Sequence, residues 1–559
     1  MKLQKKHWLT IILLTAAFLR LWNLGSGDVL GDEGLMAFRS IGMLDFDNAE
    51  QQTTPLEWLD SSGPIPSWTK LSFHDHPPLV FLIQNFFMKI FGETPFGFRL
   101  PSALFGIASV YLIYLIGRRM FDERVGLFAA GFLAITSNHI FISRVGLQES
   151  YVIFFILLAV EFFLRAIQSD GEKNFLLVGG AIGLGLLAKY TAFITVPILL
   201  THIFIYERQF LKNKYLWLGA LLAALIFSPV IIYNIALYKE VGHFDFQLSY
   251  IFGQQPPEWP VAPGKEEIGT IGDRAFNFLP QIFTTNSWVI LALFLASLAF
   301  IRNSKLLMIS LFYLAGLLFF IGPTTRFITM LAPFMMLSIA ELREVIYERF
   351  YKGNFMEIVS PAIFIFAVVF EVFYGINTQI LHYPVGISPW LYSQKTSAVT
   401  YAWGYNELDE YLQNKLAGKY PAIVLENRYQ FIAKTQDESI ASAKSRRQQS
   451  YAAAIVYDDN IFNISQLWVL DRLQVYHGWP VLKVEEYQKF LREQGSSFFK
   501  KAGFQKIYFV IQAEGMPTKK TVKDTALKLE QGLAISGFRA EVIKNKRGDA
   551  AFRIYELSL

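Results

Sequence analysis

The sequence contains no cysteine among its 559 residues. Disulfide bonds, thiolate catalysis and cysteine-ligated metal sites are therefore excluded. Charged residues are also scarce, because Asp, Glu, Lys and Arg together make up 17% of the chain, whereas hydrophobic residues make up 53%. Water-soluble domains rarely have this balance. The composition therefore indicates a chain that is largely embedded in a membrane.

The apolar residues are concentrated between Trp8 and about Gly375, in runs that short charged stretches separate. The runs have about 15 to 22 residues, the length typical of membrane-spanning helices. After about residue 380, charges return every few residues. We therefore predict a polytopic membrane domain over residues 1–378 and a soluble domain over residues 379–559.

The first apolar run, Trp8 to Leu24, follows three lysines and has the layout of a signal peptide. No small-residue cleavage site ends it, so we interpret it as the first span. Lys and Arg concentrate in cytoplasmic loops, which places the N-terminus inside. The segment 25–98 is rich in acidic residues and is expected to be an external loop.

The segment Pro78 to Phe91 decides the rest of the topology. A stretch of about 14 residues is more often interfacial than spanning. An interfacial helix leaves five later basic loops in the cytoplasm, whereas a span would move all five outside, so the positive-inside rule favours the interfacial interpretation. The result is about eleven spans, an odd number that puts the C-terminal domain outside. The predicted spans are 8–24, 100–117, 126–141, 150–167, 175–188, 190–206, 215–234, 286–301, 305–321, 327–342 and 357–377.

Acidic residues open the first external loop, in the sequence Gly31-Asp32-Glu33-Gly34. The apolar residues that follow have helical spacing and predict an amphipathic helix on the membrane. A helix N-terminus stabilises carboxylates, so capping and catalysis are both open roles for Asp32 and Glu33.

A second cluster, His74-Asp75-His76-Pro77-Pro78, precedes the interfacial helix. Histidine and aspartate are good metal ligands, and the prolines stiffen the backbone. A metal or substrate contact and a plain polar loop are both open interpretations.

Three basic residues lie near the external ends of predicted spans, where the positive-inside rule disfavours them. They are Arg144, Lys189 and Arg326, and Glu149 lies close to the first of them in sequence. Each could be a snorkelling anchor. Three cations on one side of the membrane fit a buried anionic ligand better, and a phosphate is the natural candidate.

The order of these motifs over residues 1 to about 345 resembles the GT-C superfamily of polyprenyl-phosphate-sugar glycosyltransferases. That group includes protein O-mannosyltransferases, aminoarabinose transferases that act on lipid A, and proteins with the RgtA/B/C/D-like domain, here about residues 76–235. The similar stretches are Gly31-Asp32-Glu33, His76-Pro77-Pro78-Leu79, Arg99 to Gly106, Ser143 to Glu149, Gly185 to Lys189, and Arg326-Phe327 with Pro333.

The resemblance implies a mainly α polytopic helix bundle of GT-C type with interfacial helices in the first external loop. It also implies roles by position. Asp32 is the expected general base and Glu33 its support. Lys189 and Arg326 are expected to hold the lipid phosphate, with Arg144 and Glu149 as further substrate contacts. His76 falls at a metal or donor contact, and His243 is a candidate second ligand for a divalent metal.

The expected reaction is a single displacement with inversion, because a base for the acceptor hydroxyl and cations for the departing phosphate require no covalent intermediate. The expected partners are a polyprenyl-phosphate hexose or pentose, a lipid, glycan or protein acceptor, and membrane lipid, with no nucleic acid. The expected location is the plasma membrane. The alternatives are a transporter or lipid flippase, although no internal repeat is evident, and a non-catalytic membrane protein that binds glycan or lipid.

The C-terminal domain is predicted to be α/β, because helix-like and strand-like segments alternate. The predicted helices are 406–416, 485–493 and 521–533, and the predicted strands are 422–425, 467–470, 507–511 and 551–555. The sequence assigns this domain no catalytic motif.

Overall fold

The computed structural model describes residues 5–29, 31–47, 53–61, 63–168, 171–259, 269–301, 304–350, 356–397 and 401–559. The contacts divide the chain into two compact units. The transmembrane unit comprises Met1–Gly25 and Ser67–Thr400, and the α/β unit comprises Ser26–Pro66 and Tyr401–Leu559. This division differs from the predicted boundary at residue 378, because most of the first external loop belongs with the C-terminal residues.

The transmembrane unit is built from helices around one apolar core. That core contains Ile113, Leu133, Tyr151 and Leu337, all fully or almost fully buried. The α-helices are Lys5–Leu21, Leu79–Phe91, Pro95–Met120, Glu123–Ile135, Ser137–Arg144, Glu149–Ile167, Asn174–Ala188, Thr195–Tyr206, Lys214–Val241, Phe246–Ile251, Ile271–Thr285, Trp288–Leu298, Lys305–Ile321, Thr325–Ile328, Ala332–Phe350, Met356–Gln379 and Gln394–Ser397. Short 3₁₀ helices are Ser67–Lys70, Tyr190–Ile194, Arg208–Lys212 and Thr329–Leu331.

Five segments of the described chain are helical, long and apolar enough to cross a membrane: Pro95–Met120, Glu149–Ile167, Lys214–Val241, Thr325–Glu348 and Val359–Gln379. A sixth span results if the pair Glu123–Ile135 and Ser137–Arg144, bent by 61°, counts as one. The other apolar helices are shorter, and Leu79–Phe91 has 13 residues, as expected for an interfacial helix. The chain is thus a multi-pass membrane protein, while the count of eleven spans stays a prediction.

The apolar runs are interrupted by breaks at two places in the transmembrane unit. The predicted span 126–141 bends after Ile135. At that bend the Glu371 carboxylate accepts hydrogen bonds from the Thr136 hydroxyl at 3.1 Å and the Ser137 N–H at 2.9 Å. A second break lies at Lys189, whose extended backbone separates Asn174–Ala188 from the next helical turn. Polar partners that satisfy the freed backbone groups make such breaks tolerable in a membrane.

The α/β unit contains a five-stranded sheet and a two-stranded parallel sheet. The strands are β1 Lys419–Pro421, β2 Gln449–Tyr451, β3 Ala453–Tyr457, β4 Val481–Lys483, β5 Lys506–Gln512, β6 Glu541–Lys544 and β7 Ala550–Ser558. The larger sheet has the order β4-β3-β5-β7-β6. Strands β3, β4 and β5 are parallel, and β7 runs antiparallel to β5 and β6.

The helices of this unit include two from the first external loop. They are Asp32–Gly42, Pro55–Asp60, Tyr405–Leu416, Gln430–Ser445, Asn463–Gln466, Arg472–His477, Val484–Gln494, Phe498–Lys501 and Thr525–Ile535, with a π-helix at Leu467–Asp471. Phe38 and Phe46 share an apolar cluster with Phe431 and Tyr476. The apolar face of helix Asp32–Gly42 therefore packs inside the α/β unit, whereas the sequence predicted a helix lying on the membrane.

Two strand predictions in the C-terminal domain are wrong. Residues 467–470 form the π-helix, and residues 422–425 follow β1 without strand structure. A four-residue apolar run does not distinguish a buried strand from a buried helix. Trp468 and Leu470 are fully buried in this helical turn. The strands predicted at 507–511 and 551–555 are confirmed by β5 and β7.

Candidate active site

A buried carboxylate meets two cations in the transmembrane unit. Glu149 Oε1 lies 2.6 Å from Lys189 Nζ and 3.8 Å from Arg326 Nε. The Glu149 side chain is 1% exposed and that of Lys189 10%, whereas that of Arg326 is 32% exposed. One negative and two positive charges leave one positive charge in excess. The structure therefore brings together three residues that the sequence selected separately.

Each of the three side chains is presented by the end of a helix. Glu149 is the first residue of helix Glu149–Ile167. Lys189 occupies the break after Asn174–Ala188, and its extended backbone prevents the helix from continuing. Arg326 lies in the short helix Thr325–Ile328. The Phe327 ring lies 4.9 Å from Lys189 Nζ and 5.0 Å from Arg326 Cζ, so both cations contact one aromatic surface.

A large apolar cavity begins at the residues that follow Lys189. Its volume is about 860 Å³, and Tyr190 and Thr191 contribute to its wall. Other lining residues include Phe193, Phe227, Leu317 and Phe320. Helix Asn174–Ala188 passes close to Lys214–Val241, because a Cβ atom on Gly179 or Gly219 would collide with the backbone of the other helix. The cavity thus has room and chemistry for a hydrocarbon chain adjacent to a cationic group.

Behind the Lys189 break lies a second buried polar group centred on Asp245. The Tyr190 hydroxyl donates a hydrogen bond to Asp245, and Asn234 Nδ2 donates to Asp245 Oδ2 at 2.9 Å. The Leu248 N–H donates to Asp245 Oδ1 at 2.9 Å. Burial raises the pKa of Asp245 although these hydrogen bonds oppose the effect. The sequence patterns gave no role to Asp245, Asn234 or Tyr190, although Tyr190 directly follows Lys189.

The His74-Asp75-His76 segment supplies potential metal ligands. His74 is fully buried and Asp75 is 7% exposed. His76 Nδ1 lies 3.1 Å from Asp75 Oδ1. Imidazole nitrogens and carboxylate oxygens are ligands suited to divalent metals such as Zn²⁺. The donor types of this segment therefore fit a metal ion.

His243, the other predicted metal ligand, lies beside an aromatic residue. Its ring centroid is 5.0 Å from that of Trp259, and its Nε2 atom lies 3.3 Å from Glu258 Oε2. His74 stacks on the same Trp259 at 5.6 Å. Among the described residues, neither His76 nor His243 belongs to a group of three metal-ligating atoms within 4.8 Å. A metal held by His76 and His243 stays a prediction.

Arg144 contacts the end of the first helix. Its Nη1 atom donates to the carbonyl oxygens of Leu19 at 3.1 Å, Arg20 at 3.2 Å and Trp22 at 2.8 Å. These are carbonyls at a helix C-terminus, which lack partners within the helix. The structure thus gives Arg144 a capping role in the fold.

Arg20 is fully buried and caps the C-terminal end of helix Glu123–Ile135. The sequence motifs did not include it. Arg20 donates to the carbonyl oxygens of Leu133 at 3.0 Å and Ala134 at 2.9 Å. Its Nη2 atom also lies 2.7 Å from His139 Nδ1. A charged residue inside the first apolar run was the available signal.

Asp32 and Glu33 form the first turn of helix Asp32–Gly42 in the α/β unit. Asp32 is exposed, whereas Glu33 is 1% exposed. Gly31 precedes the helix with a φ of 69°, a backbone conformation that favours glycine. An exposed carboxylate such as that of Asp32 can accept a proton from a bound hydroxyl group.

Comparison with known proteins agrees with this reading of the chain. Residues 75–233 match the family of dolichyl-phosphate-mannose-protein mannosyltransferases. The predicted resemblance to polyprenyl-phosphate-sugar glycosyltransferases is confirmed. The matched residues include His76, Arg144, Glu149 and Lys189.

Two curated relatives match parts of the chain. The candidate mannosyltransferase YycA of Bacillus subtilis (strain 168) is 31% identical over 220 residues, which are 39% of this chain and 30% of that protein. The polyprenol-phosphate-mannose–protein mannosyltransferase of Corynebacterium glutamicum is 32% identical over 110 residues, 19% of this chain and 21% of that protein. The matched stretch thus spans less than a third of either relative.

The fold as a whole is shared with a solved structure. The crystal structure of ArnT from Cupriavidus metallidurans in the apo state has a TM-score of 0.50 at 14% identity, and the match covers 99% of this chain and 98% of that one. The predicted mainly helical architecture with a small C-terminal sheet domain is therefore confirmed.

Proposed function

We propose that the protein is a membrane glycosyltransferase that moves a sugar from a polyprenyl-phosphate carrier to an acceptor. The observation that carries the proposal is the pairing of Lys189 and Arg326 around Glu149, together with an apolar cavity of about 860 Å³ that is lined by the two residues after Lys189. The names of the two mannosyltransferase relatives support it. The expected donor is a polyprenyl-phosphate hexose or pentose.

On the donor side, Lys189 and Arg326 bind the lipid phosphate and the cavity takes the first isoprene units. The excess positive charge attracts the phosphate, and Glu149 holds both cations in place before the donor arrives. During transfer the bond between the anomeric carbon and the phosphate oxygen breaks. Fixed cations then stabilise the negative charge that develops on the leaving phosphate.

The acceptor side of the proposal rests on the α/β unit. Asp32 takes the proton of the acceptor hydroxyl as its oxygen attacks the anomeric carbon, and Glu33 supports that carboxylate from its buried position. A positioned base of this kind contributes about 10²- to 10⁴-fold to the rate. The displacement is direct, so the product has the inverted anomeric configuration. The acceptor is a lipid, a glycan or a protein.

A divalent metal is part of the proposal. His74 and Asp75 are its proposed ligands, with His76 as the neighbouring contact, because their donor types fit and the first two are buried. Such an ion supplies charge stabilisation for a phosphoryl oxygen. Loop charges support three further proposals: eleven spans, a cytoplasmic N-terminus and an extracytoplasmic C-terminal domain. The plasma membrane is proposed as the location on the family resemblance alone.

The test is sugar transfer by the purified full-length protein in liposomes that contain polyprenyl-phosphate [¹⁴C]mannose or a pentose donor. The membrane extract of a strain lacking the protein supplies the acceptor, and parallel samples contain EDTA or Lys189→Met protein. The proposal expects a labelled product that Lys189→Met protein does not form, and loss of product in EDTA that added Zn²⁺ or Mn²⁺ restores. Labelled product at equal rates from wild type and Lys189→Met, or none from either with any donor, would contradict it.

A further inference from the structure

Two consecutive residues tie the helix break to different parts of the transmembrane unit. Lys189 pairs with Glu149, the first residue of helix Glu149–Ile167. Tyr190 donates a hydrogen bond to Asp245, which lies in the loop after helix Lys214–Val241. The backbone at Lys189 and Tyr190 is therefore held in place by the side-chain contacts of both residues.

Asp245 is itself held rigidly. It is fully buried, and its N–H group donates to Asn234 Oδ1 at 2.9 Å while Asn234 Nδ2 donates back to Asp245 Oδ2 at 2.9 Å. The Leu248 N–H donates to the other carboxylate oxygen. A buried carboxylate is costly unless such donors satisfy it, and a fully satisfied group of this kind fixes one geometry.

The same loop also contacts the proposed metal segment. The Phe246 N–H donates to the His74 carbonyl oxygen at 2.7 Å, and the rings of Phe246 and His74 both contact Trp259. Asp245 and the residue after it thus contact both the segment at Lys189, which is proposed to bind the phosphate, and the segment at His74, which is proposed to bind the metal.

We propose that Asp245 is a positioning residue for the donor phosphate. Through the Tyr190 hydroxyl it fixes the backbone at Lys189, so that the Lys189 ammonium group is already in place when the lipid phosphate arrives. The inference rests on the proposed function, since it concerns the same phosphate. Holding a charged group in its bound geometry reduces the entropy lost on binding.

The test measures the Kd of polyprenyl phosphate, the carrier without its sugar, for the full-length protein in detergent. The variants are Tyr190→Phe, which removes one hydroxyl, Asp245→Asn, which removes the charge, and both together. Tyr238→Phe is the matched control, because Tyr238 is an exposed tyrosine on helix Lys214–Val241. Lys189→Met tests the phosphate site itself, and the Tm of every variant is recorded.

Each single variant is expected to weaken polyprenyl phosphate binding about tenfold, the effect of one hydrogen bond to a charged group. The double variant is expected to weaken binding no further than the weaker-binding single variant, because both substitutions act through the same contact between Tyr190 and Asp245. The Tm of Tyr190→Phe is expected to stay near the wild-type value, and the KM for the donor is expected to rise in both single variants, since the effect falls on donor affinity. Tyr238→Phe is expected to bind like wild type.

Wild-type affinity in Tyr190→Phe and Asp245→Asn, alongside weak binding by Lys189→Met, would overturn the positioning role and leave the proposed function standing. Loss of affinity only in proportion to a lowered Tm would also overturn it, because Asp245 would then act on folding alone. Wild-type affinity for polyprenyl phosphate in Lys189→Met would contradict the phosphate site at Lys189, and the positioning role of Asp245 would fall with it.

Discussion

Glu149 Oε1 lies 2.6 Å from Lys189 Nζ, although 40 residues separate the two in sequence, and both residues are buried in the transmembrane unit. Breaking a buried ion pair by removing one partner typically costs about 3–5 kcal/mol, because the other charge remains buried. The stability of the buried Lys189 charge therefore depends on a negative partner, which either Glu149 or a bound phosphate can supply.

The first prediction concerns Glu149→Gln. This variant should have a lower Tm than wild type, because Lys189 loses its carboxylate partner. Added polyprenyl phosphate should raise the Tm of the variant more than that of wild type, since the phosphate supplies the missing negative charge. Thermal unfolding in detergent with and without the lipid measures both effects.

Glu161→Gln is the matched control for this experiment. Glu161 lies on the same helix, is 1% exposed, and pairs with Arg119 and Arg165 at 2.9 Å each. Its loss should also lower the Tm, but polyprenyl phosphate should not restore it. Equal recovery in both variants would show that the lipid acts nonspecifically and would count against a phosphate at Lys189.

The second prediction separates Arg144 from the phosphate-binding cations. Arg144→Lys should lower the Tm, because the shorter donor cannot reach the carbonyl oxygens of Leu19, Arg20 and Trp22 together. Each buried acceptor left without a partner costs about 1–3 kcal/mol. The KM for the donor should not change in the folded protein. A raised KM at unchanged Tm would instead place Arg144 in the substrate site.

The third prediction tests how residues 26–66 join the α/β unit. The Asp28 carboxylate accepts hydrogen bonds from the N–H groups of Gly404 and Asn406 at 2.9 Å and of Tyr405 at 3.1 Å, at the start of helix Tyr405–Leu416. Asp28→Ala should therefore destabilise the protein by about 1–2 kcal/mol, as loss of a helix cap does. Asp437→Ala, an exposed position on helix Gln430–Ser445, is the control. Equal denaturation midpoints for the two variants would contradict this contact.

The fourth prediction is a pH dependence of the α/β unit. Burial alone would raise the pKa of Glu530, but hydrogen bonds from Arg553 and Tyr555 hold that pKa below its ordinary value of 4.5. Because the unfolded chain takes up the proton first, this group stabilises the fold above pH 4.5, and the contribution is lost as the pH falls further. The stability difference between wild type and Glu530→Gln, measured by denaturant unfolding, should be largest near neutral pH and shrink toward about pH 3. A difference that stays constant with pH would contradict the assignment.

Sequence patterns selected charged residues that the fold brings together, but they did not predict where the helices bend. Lys189, Arg326 and Glu149 were selected from charge placement near the ends of apolar runs, and the structure brings them into contact. The bend after Ile135 was not foreseen, because it depends on Glu371, 235 residues beyond Thr136 in sequence. Local periodicity carries no information about partners that distant.

The first external loop shows the same limit. The apolar face of helix Asp32–Gly42 was correctly recognised, but amphipathicity does not reveal whether that face contacts lipid or protein. Its partners, Phe431 and Tyr476, lie about 400 residues away. Asp245 was missed for a related reason, since its hydrogen-bond partners Tyr190 and Asn234 are distant in sequence and it belongs to no local motif.

The measurement that tests the account most directly is sugar transfer from polyprenyl-phosphate [¹⁴C]mannose or a labelled pentose donor by wild type and Asp32→Asn, with polyprenyl phosphate binding measured on the same preparations. The account predicts that Asp32→Asn loses about 10²- to 10⁴-fold in kcat while it binds the lipid phosphate like wild type and Asp437→Asn transfers normally. Wild-type transfer by Asp32→Asn would contradict the base assignment. Lipid binding without transfer by any of the three proteins would contradict the glycosyltransferase itself and favour a transporter or a lipid-binding protein.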